Sequence, residues 1–260
     1  MANDRIAALR RVRQDVVDYC RDLSDGQWST PSRAAGWRVR DVVAHLGASC
    51  RAVASIGAIS DLRSDDIVSD NNAGVDRRRD WPTERVLAEF ERWSPVFISI
   101  LAVAGAGPLG RVRLANLGRY PARILPSTFV FDWHTHLHHD IAPALGKPAP
   151  PPDEGQMAAT IEWMLAGLEQ MNHADMGWVD RPLRLTLTGL AGGSWEISPA
   201  GSGYLRVAEA AGLDTACEIT GATTDFPAWA TTRTAWRDAG LTISGDSDYA
   251  ARFLDAVNII

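Results

Sequence analysis

The chain has 260 residues and 28.2 kDa, room for two ordinary domains, and its 46% apolar and 22% charged residues allow a packed core and exclude wholesale disorder. A net charge of −6 and a pI near 5.5 leave no broad positive field for a phosphate backbone, so nucleic acid is not an expected partner. Of the 26 basic residues only Lys147 is a lysine, a skew that a GC-rich genome explains better than any site does.

The first residues, Met1 to Arg5, lack the basic start and apolar run of a secretory signal and predict a cytoplasmic protein. Behind Asn3, Ile6, Leu9, Val12, Val16, Tyr19 and Leu23 recur at helical spacing, so residues 4–23 are expected to form an amphipathic helix. A turn-rich stretch with Pro31 and Gly36 follows, then a second helix marked by Val39, Val42, Val43, Leu46, Cys50 and Val53. Residues 61–79 are mostly polar and read as a surface loop. Asp80 and Pro82 open a third helix through Val86, Phe90 and Trp93 to Leu101, with a kink expected at Pro95. The most apolar run, residues 96–106, has about half the length a bilayer span needs, so no membrane helix is expected. Residues 105–123, broken by Gly105, Gly107, Pro108, Gly110, Gly118 and Pro121, read as a long binding loop. Pro126 begins a fourth helix through Phe129, Trp133, Leu137 and Ile141, completing a four-helix bundle over residues 1–146.

Lys147 to Pro152 is proline-rich and cannot be helical, so a linker is placed at 147–152 and a second domain at 153–260. After a helix over 153–170 the period changes to two, with Leu183, Leu185 and Leu187 alternating against Arg184, Thr186 and Thr188. A hairpin at 191–194, short strands at 195–198, 216–220 and 241–244, and helices at 225–239 and 247–258 complete a smaller mixed domain. The fold class is therefore α+β. Cys20, Cys50 and Cys217 are widely separated and form no CxxC pair, so they are read as buried thiols.

Four of the six histidines, His134, His136, His138 and His139, lie on the fourth helix. At about 100° per residue, Asp132, His136 and His139 follow one border of its apolar face and His134 and His138 the other. Asp132 and His136, four apart, can converge on one point from consecutive turns, as ligands on a helix must, although a salt-bridged surface helix has the same spacing. An ion inside a bundle also needs a ligand from a facing helix, and His45 is the only histidine on the other three. Two histidines and a carboxylate, with coordination positions left over, make an open, catalytic type of set. A lone His45 is more often a hydrogen-bonded helix residue than a ligand. Asp140 points near the core face and, if buried, must bond something, an orienting bond to a histidine being one option.

Three segments carry a resemblance. Gly36-Trp37-Arg38-Val39-Arg40-Asp41-Val42-Val43-Ala44-His45-Leu46 resembles the opening motif of the mycothiol-dependent maleylpyruvate isomerase family, within the wider DinB-like bundles. Asp132-Trp133-His134-Thr135-His136-Leu137, with Asp140-Ile141, resembles that family's second metal-binding segment. Arg233-Thr234-Ala235-Trp236, Ser244-Gly245-Asp246 and Phe253-Leu254-Asp255 are similar to its C-terminal domain. The resemblance implies a DinB-like four-helix bundle followed by a smaller α/β domain, with zinc held by His45, Asp132 and His136 and with mycothiol as thiol partner. The family is expected to carry Glu where this chain has Asp132, a side chain one methylene shorter.

A thiol with an ordinary pKa near about 8.5 becomes a nucleophile at neutral pH beside a divalent cation. Attack on an electrophilic double bond then yields either an isomerisation or a stable S-adduct. Arg233 resembles an arginine of the family associated with activity and suits a substrate carboxylate. The loop arginines Arg111, Arg113 and Arg119 are the expected wall for an anionic or sugar-bearing ligand. The partners implied are a small molecule and a low-molecular-weight thiol, with the chain a monomer or weak homodimer. Two other readings share the residues: a ligand-binding protein without catalysis, and a metal-dependent hydrolase that activates water instead of thiol.

Overall fold

The computed structural model describes residues 2–54, 66–106, 110–212 and 214–260, which divide into two compact units, Met1–Pro152 and Asp153–Ile260. The first is helical. Helices α1 (Ala2–Arg21), α3 (Val39–Ala54), α5 (Thr83–Ala106) and α6 (Leu125–Thr135) pack as a bundle, with α3 against α5 and α1 against both α5 and α6. Leu9, Val12 and Val16 of α1, Val42, Val43 and Leu46 of α3, Phe90 and Phe97 of α5, and Trp133 of α6 are fully buried. The apolar stripes read from the sequence are thus the faces that meet. Phe90 meets the Trp133 ring edge-on at 5.1 Å, and Phe97 meets Phe129 at 4.5 Å, so aromatic rings fill the α5–α6 seam. α5 runs on through Pro95.

Local chemistry sets the element ends. Short α2 (Asp25–Ser29) starts at a capping box of Ser24 and Gln27. The Asp41 carboxylate reaches back one turn to the Arg38 backbone N–H at 2.9 Å and to the Arg38 guanidinium at 2.8 and 3.1 Å, which seals the start of α3. Burial pushes the Asp41 carboxyl up, but the Arg38 bonds and charge outweigh it and hold its pKa below 3.8.

Three expectations are corrected in this unit. The polar stretch is not all loop: α4 (Ile67–Asp76) occupies part of it, capped by Asp66 and burying Gly74 and Val75, while 61–65 lie outside the described residues. Its apolar positions are too sparse to make a visible stripe. The glycine-rich stretch is likewise not a loop throughout. Strands β1 (Arg111–Leu114) and β2 (Gly118–Pro121) pair antiparallel, Arg113 opposite Arg119, around a turn with Ala115 at positive φ; 107–109 lie outside the described residues. Four-residue strands are too short to display alternation against so many turn residues. The fourth helix, finally, is not uniform. After Thr135 it widens into a π-helical turn, His136–Ile141, before α7 (Ala142–Leu145) ends at Gly146 in the left-handed region.

Residues 147–152 have no helix or strand. In the second unit α8 (Glu154–Leu168) starts at a capping box of Asp153 and Gln156. A five-stranded sheet follows, ordered β5-β4-β3-β6-β7, from β3 (Leu183–Thr188), β4 (Gly193–Gly201), β5 (Tyr204–Glu209), β6 (Cys217–Ala222) and β7 (Thr242–Gly245). Only β3 and β6 run parallel. Leu183, Leu185 and Leu187 are buried, and their even-numbered neighbours face the other way. β5 escapes the sequence reading because only Leu205 and Val207 alternate in it. The expected helix at 225–239 is corrected to a single short helix, α9 (Phe226–Ala230), a turn with Thr232 at φ +59°, and a 3-10 turn at Trp236–Asp238. The final helix, α10 (Ser247–Ala256), is capped by Asp246 and packs on β6 and β7. No described helix is long and apolar enough to cross a membrane. All three cysteines are free and buried.

Candidate functional site

His45 comes from the middle of α3, Asp132 from the last turn of α6, and His136 from the first residue of the π turn. His45 Nε2 lies 3.4 Å from Asp132 Oδ1, and His136 Nε2 lies 3.5 Å from the same oxygen. The three offer ligand atoms that all lie within 4.8 Å of one another, and among the described residues no other group of three or more does so. The His45 and His136 rings meet edge-on with centroids 5.1 Å apart.

These separations discriminate between two explanations. A charge-assisted N–H···O bond is about 2.7–2.9 Å long, so two contacts near 3.5 Å to one oxygen are poor hydrogen bonds. Nitrogen and oxygen ligands about 2.0–2.1 Å from a tetrahedral zinc lie about 3.4 Å apart along each edge. The donor set fits a divalent cation. Side-chain exposures of 5% for His45 and 10% for His136 against 25% for Asp132 leave the opening on the carboxylate side. The shorter reach of Asp132 does not prevent it from meeting both histidines.

The outer contacts add to this. Asp140, fully buried, lies 2.7 Å through Oδ2 from His136 Nδ1. With the proton on Nδ1, that bond leaves the Nε2 lone pair aimed at Asp132 and His45. The orienting role open to Asp140 in the sequence is the one its geometry takes. His45 Nδ1, by contrast, has no hydrogen-bond partner among the described residues. Its ring faces the Trp37 indole, 5.3 Å away at 39°, and the same indole lies 6.2 Å from His136.

The other histidines are separate. His134 and His138 stack at 4.3 Å, with His139 edge-on to His134 at 6.0 Å. Burial holds the His134 pKa well below its usual value, helped by its two histidine neighbours, and brings that of His138 down to about 4. His139 therefore sides with His134, not with Asp132 and His136 as a 100° step implies, because the wider π turn lags behind that step. Cys50, one turn beyond His45 on α3, is kept a thiol by burial and by the nearby Asp132 charge.

The remaining candidates are the hairpin arginines and Arg233. Arg111 and Arg119 are exposed on the β1–β2 hairpin, where Arg111 donates to the Arg119 carbonyl at 2.5 Å. Arg233 belongs to the second unit and sits half-buried in the turn after α9, its backbone N–H bonded to the Ala228 carbonyl at 2.9 Å. Near it Trp229 is buried, while Trp236 donates its indole N–H to Asp255 at 2.7 Å. Trp37 was visible in the sequence only as part of a motif. Its approach to both histidines depends on a loop geometry that spacing does not encode.

A helical bundle whose helices converge two histidines and a carboxylate, joined to a unit built on a five-stranded sheet, defines the class of protein. The chain belongs to the family described as the mycothiol maleylpyruvate isomerase N-terminal domain, whose model matches residues 9–142. Among solved structures it is similar in fold to the crystal structure of the mycothiol-dependent maleylpyruvate isomerase, at 14% identity and a TM-score of 0.59. A histidine-to-alanine variant of that enzyme gives 14% and 0.58. Each likeness covers 94% of this chain and 93% of the other. No curated protein matches the chain.

Proposed function

We propose that this protein is a cytoplasmic, metal-dependent enzyme that uses mycothiol to isomerise, or add sulfur to, a small electrophilic substrate bearing a carboxylate. His45, Asp132 and His136 hold the metal, zinc by the chemistry of the donor set, and membership of the family supports the thiol. The observation that carries the reading is the pair of 3.4 and 3.5 Å separations converging on one Asp132 oxygen, too long for good hydrogen bonds and matched to the edges of a metal polyhedron. A divalent cation held there supplies the stabilisation that makes a thiol a thiolate at neutral pH.

Asp140 keeps the His136 proton on Nδ1, so that Nε2 faces the cluster as an acceptor. Thiolate sulfur adds to one carbon of the substrate's double bond, the π pair moves onto the conjugated electron-withdrawing group as an enolate, and the adduct turns about the resulting single bond. Elimination then restores the double bond in the other geometry and releases the thiol, so the isomerisation consumes none. Where elimination does not follow, the enolate takes a proton from solvent at carbon and the product is the S-adduct. Arg233 is assigned to the substrate carboxylate, which its planar fork matches, and Arg111 and Arg119 to the thiol's polar groups.

Purified wild-type protein is expected to contain one zinc per chain by elemental analysis, with His136→Ala below about a tenth of that. Turnover of maleylpyruvate is expected only when mycothiol is supplied. Turnover without any thiol would favour a hydrolase, and metal-free protein purified without chelator would favour a binding protein. Arg233→Ala is expected to keep its zinc and lose about 10²-fold or more in kcat/KM, whereas Arg111→Ala raises KM for the thiol alone.

A further inference from the structure

We infer that Trp37, pinned by Asn72, is a positioning residue that sets the orientation of the two histidines, and of His45 above all; the inference rests on the metal reading above. The two imidazoles are restrained unequally. His136 is fixed at Nδ1 by the buried Asp140 carboxylate at 2.7 Å. His45 has no such bond, since its Nδ1 lacks a hydrogen-bond partner among the described residues. The final torsion of a histidine side chain is broad and nearly two-fold, so an imidazole with one polar contact turns unless something packs against its face. For His45 that contact is the Trp37 ring, 5.3 Å away at a tilt of 39°, within the range of aromatic pairs.

Trp37 is itself held at several points. Its indole N–H donates to Asn72 Oδ1 of α4 at 3.1 Å. Its carbonyl accepts from the Ser32 backbone N–H at 2.9 Å and from the Ser32 hydroxyl at 2.8 Å, and its own N–H donates to the Ala34 carbonyl at 3.0 Å. Gly36, at φ +79°, supplies the left-handed residue that lets the loop close just before the tryptophan. The loop is then tied to the site by the Arg33 N–H, which donates to the Asp140 carbonyl at 3.1 Å. Asp140 thus orients His136 through its side chain and anchors the Trp37 loop through its backbone. The indole also covers one side of the cluster with apolar surface, which lowers the local dielectric at the ligands.

The test is a cobalt(II) competition titration, with the visible d–d band of cobalt as a second readout that simple loss of stability would not move. Trp37→Ala is expected to bind cobalt about tenfold or more weakly and with an altered band, while Trp37→Phe and Asn72→Ala, which keep a ring but lose the pin, lose about threefold. Metal-free unfolding curves of each variant control for the fold. Wild-type affinity and band shape in Trp37→Ala overturn the inference and leave the metal reading standing; a wild-type chain that binds no cobalt overturns both. Should Trp37→Ala fail to fold, Asn72→Ala decides: weaker binding with an altered band supports the inference, and wild-type behaviour overturns it.

Discussion

Asp132 is the residue on which both histidines converge, and Asp140 is the one that bonds His136 from behind, so the two aspartates of the fourth helix have separable roles. Asp132→Asn keeps the shape but removes the anionic ligand, and metal content by elemental analysis is expected to drop severalfold. Asp140→Asn leaves the three ligands in place and loosens the His136 tautomer; metal affinity in competition titration is expected to fall about 10- to 100-fold, with the helical circular-dichroism signal retained. At this scale the sequence was informative where spacing alone converges side chains, as for Asp132 and His136 one turn apart. It was uninformative where the loop before α3 folds its indole back against His45 and across to His136.

At the scale of elements, the start of α3 and its contact with α5 determine where His45 stands. The Asp41 carboxylate that closes the first turn of α3 has its folded pKa depressed below the 3.8 of a free aspartate. Its contribution is therefore present above pH 3.8 and is lost as the pH falls through the lower folded value. Asp41→Asn is expected to lose about 1 kcal/mol at neutral pH, with the gap to wild type closing as denaturant unfolding is repeated from pH 5 down to pH 3. Gly47 of α3 lies against α5: an added Cβ would be 3.3 Å from both Glu89 Oε2 and the Phe90 backbone nitrogen. Glu89 cannot swing away freely, since its carboxylate is paired with the buried Arg78 guanidinium. Gly47→Val is expected to destabilise the first unit by about 1–3 kcal/mol in urea titrations through this overpacking. Long helices with full apolar stripes, α1, α3 and α5, were legible because 3.6-residue periodicity repeats many times within them. α4, the β1–β2 hairpin and the turn carrying Arg233 were not, because each is too short to repeat a period and is held by contacts from elsewhere.

The molecule as a whole consists of two compact units, each with buried apolar residues of its own. The three ligands, the orienting Asp140 and the Trp37 loop all lie within Met1–Pro152. A fragment of residues 1–152 is therefore expected to bind one cobalt with the same visible band as the full chain, but to show no turnover without Arg233, a pair of results that titration and assay check directly. The amino-acid sequence by itself determined the α+β class, the long bundle helices and the alternation of the central strand. Those depend on local periodicity, which a linear pattern contains. It also nominated His45, Asp132 and His136, two by helical spacing and one by elimination. Only the tertiary structure decided that His45 on one helix comes within 3.4 Å of Asp132 on another, that a π turn moves His139 away from them, and that the indole of the loop just before α3 packs against their rings. Distances between elements follow from how whole faces pack and from where the backbone departs from ideal pitch, and no residue spacing records either.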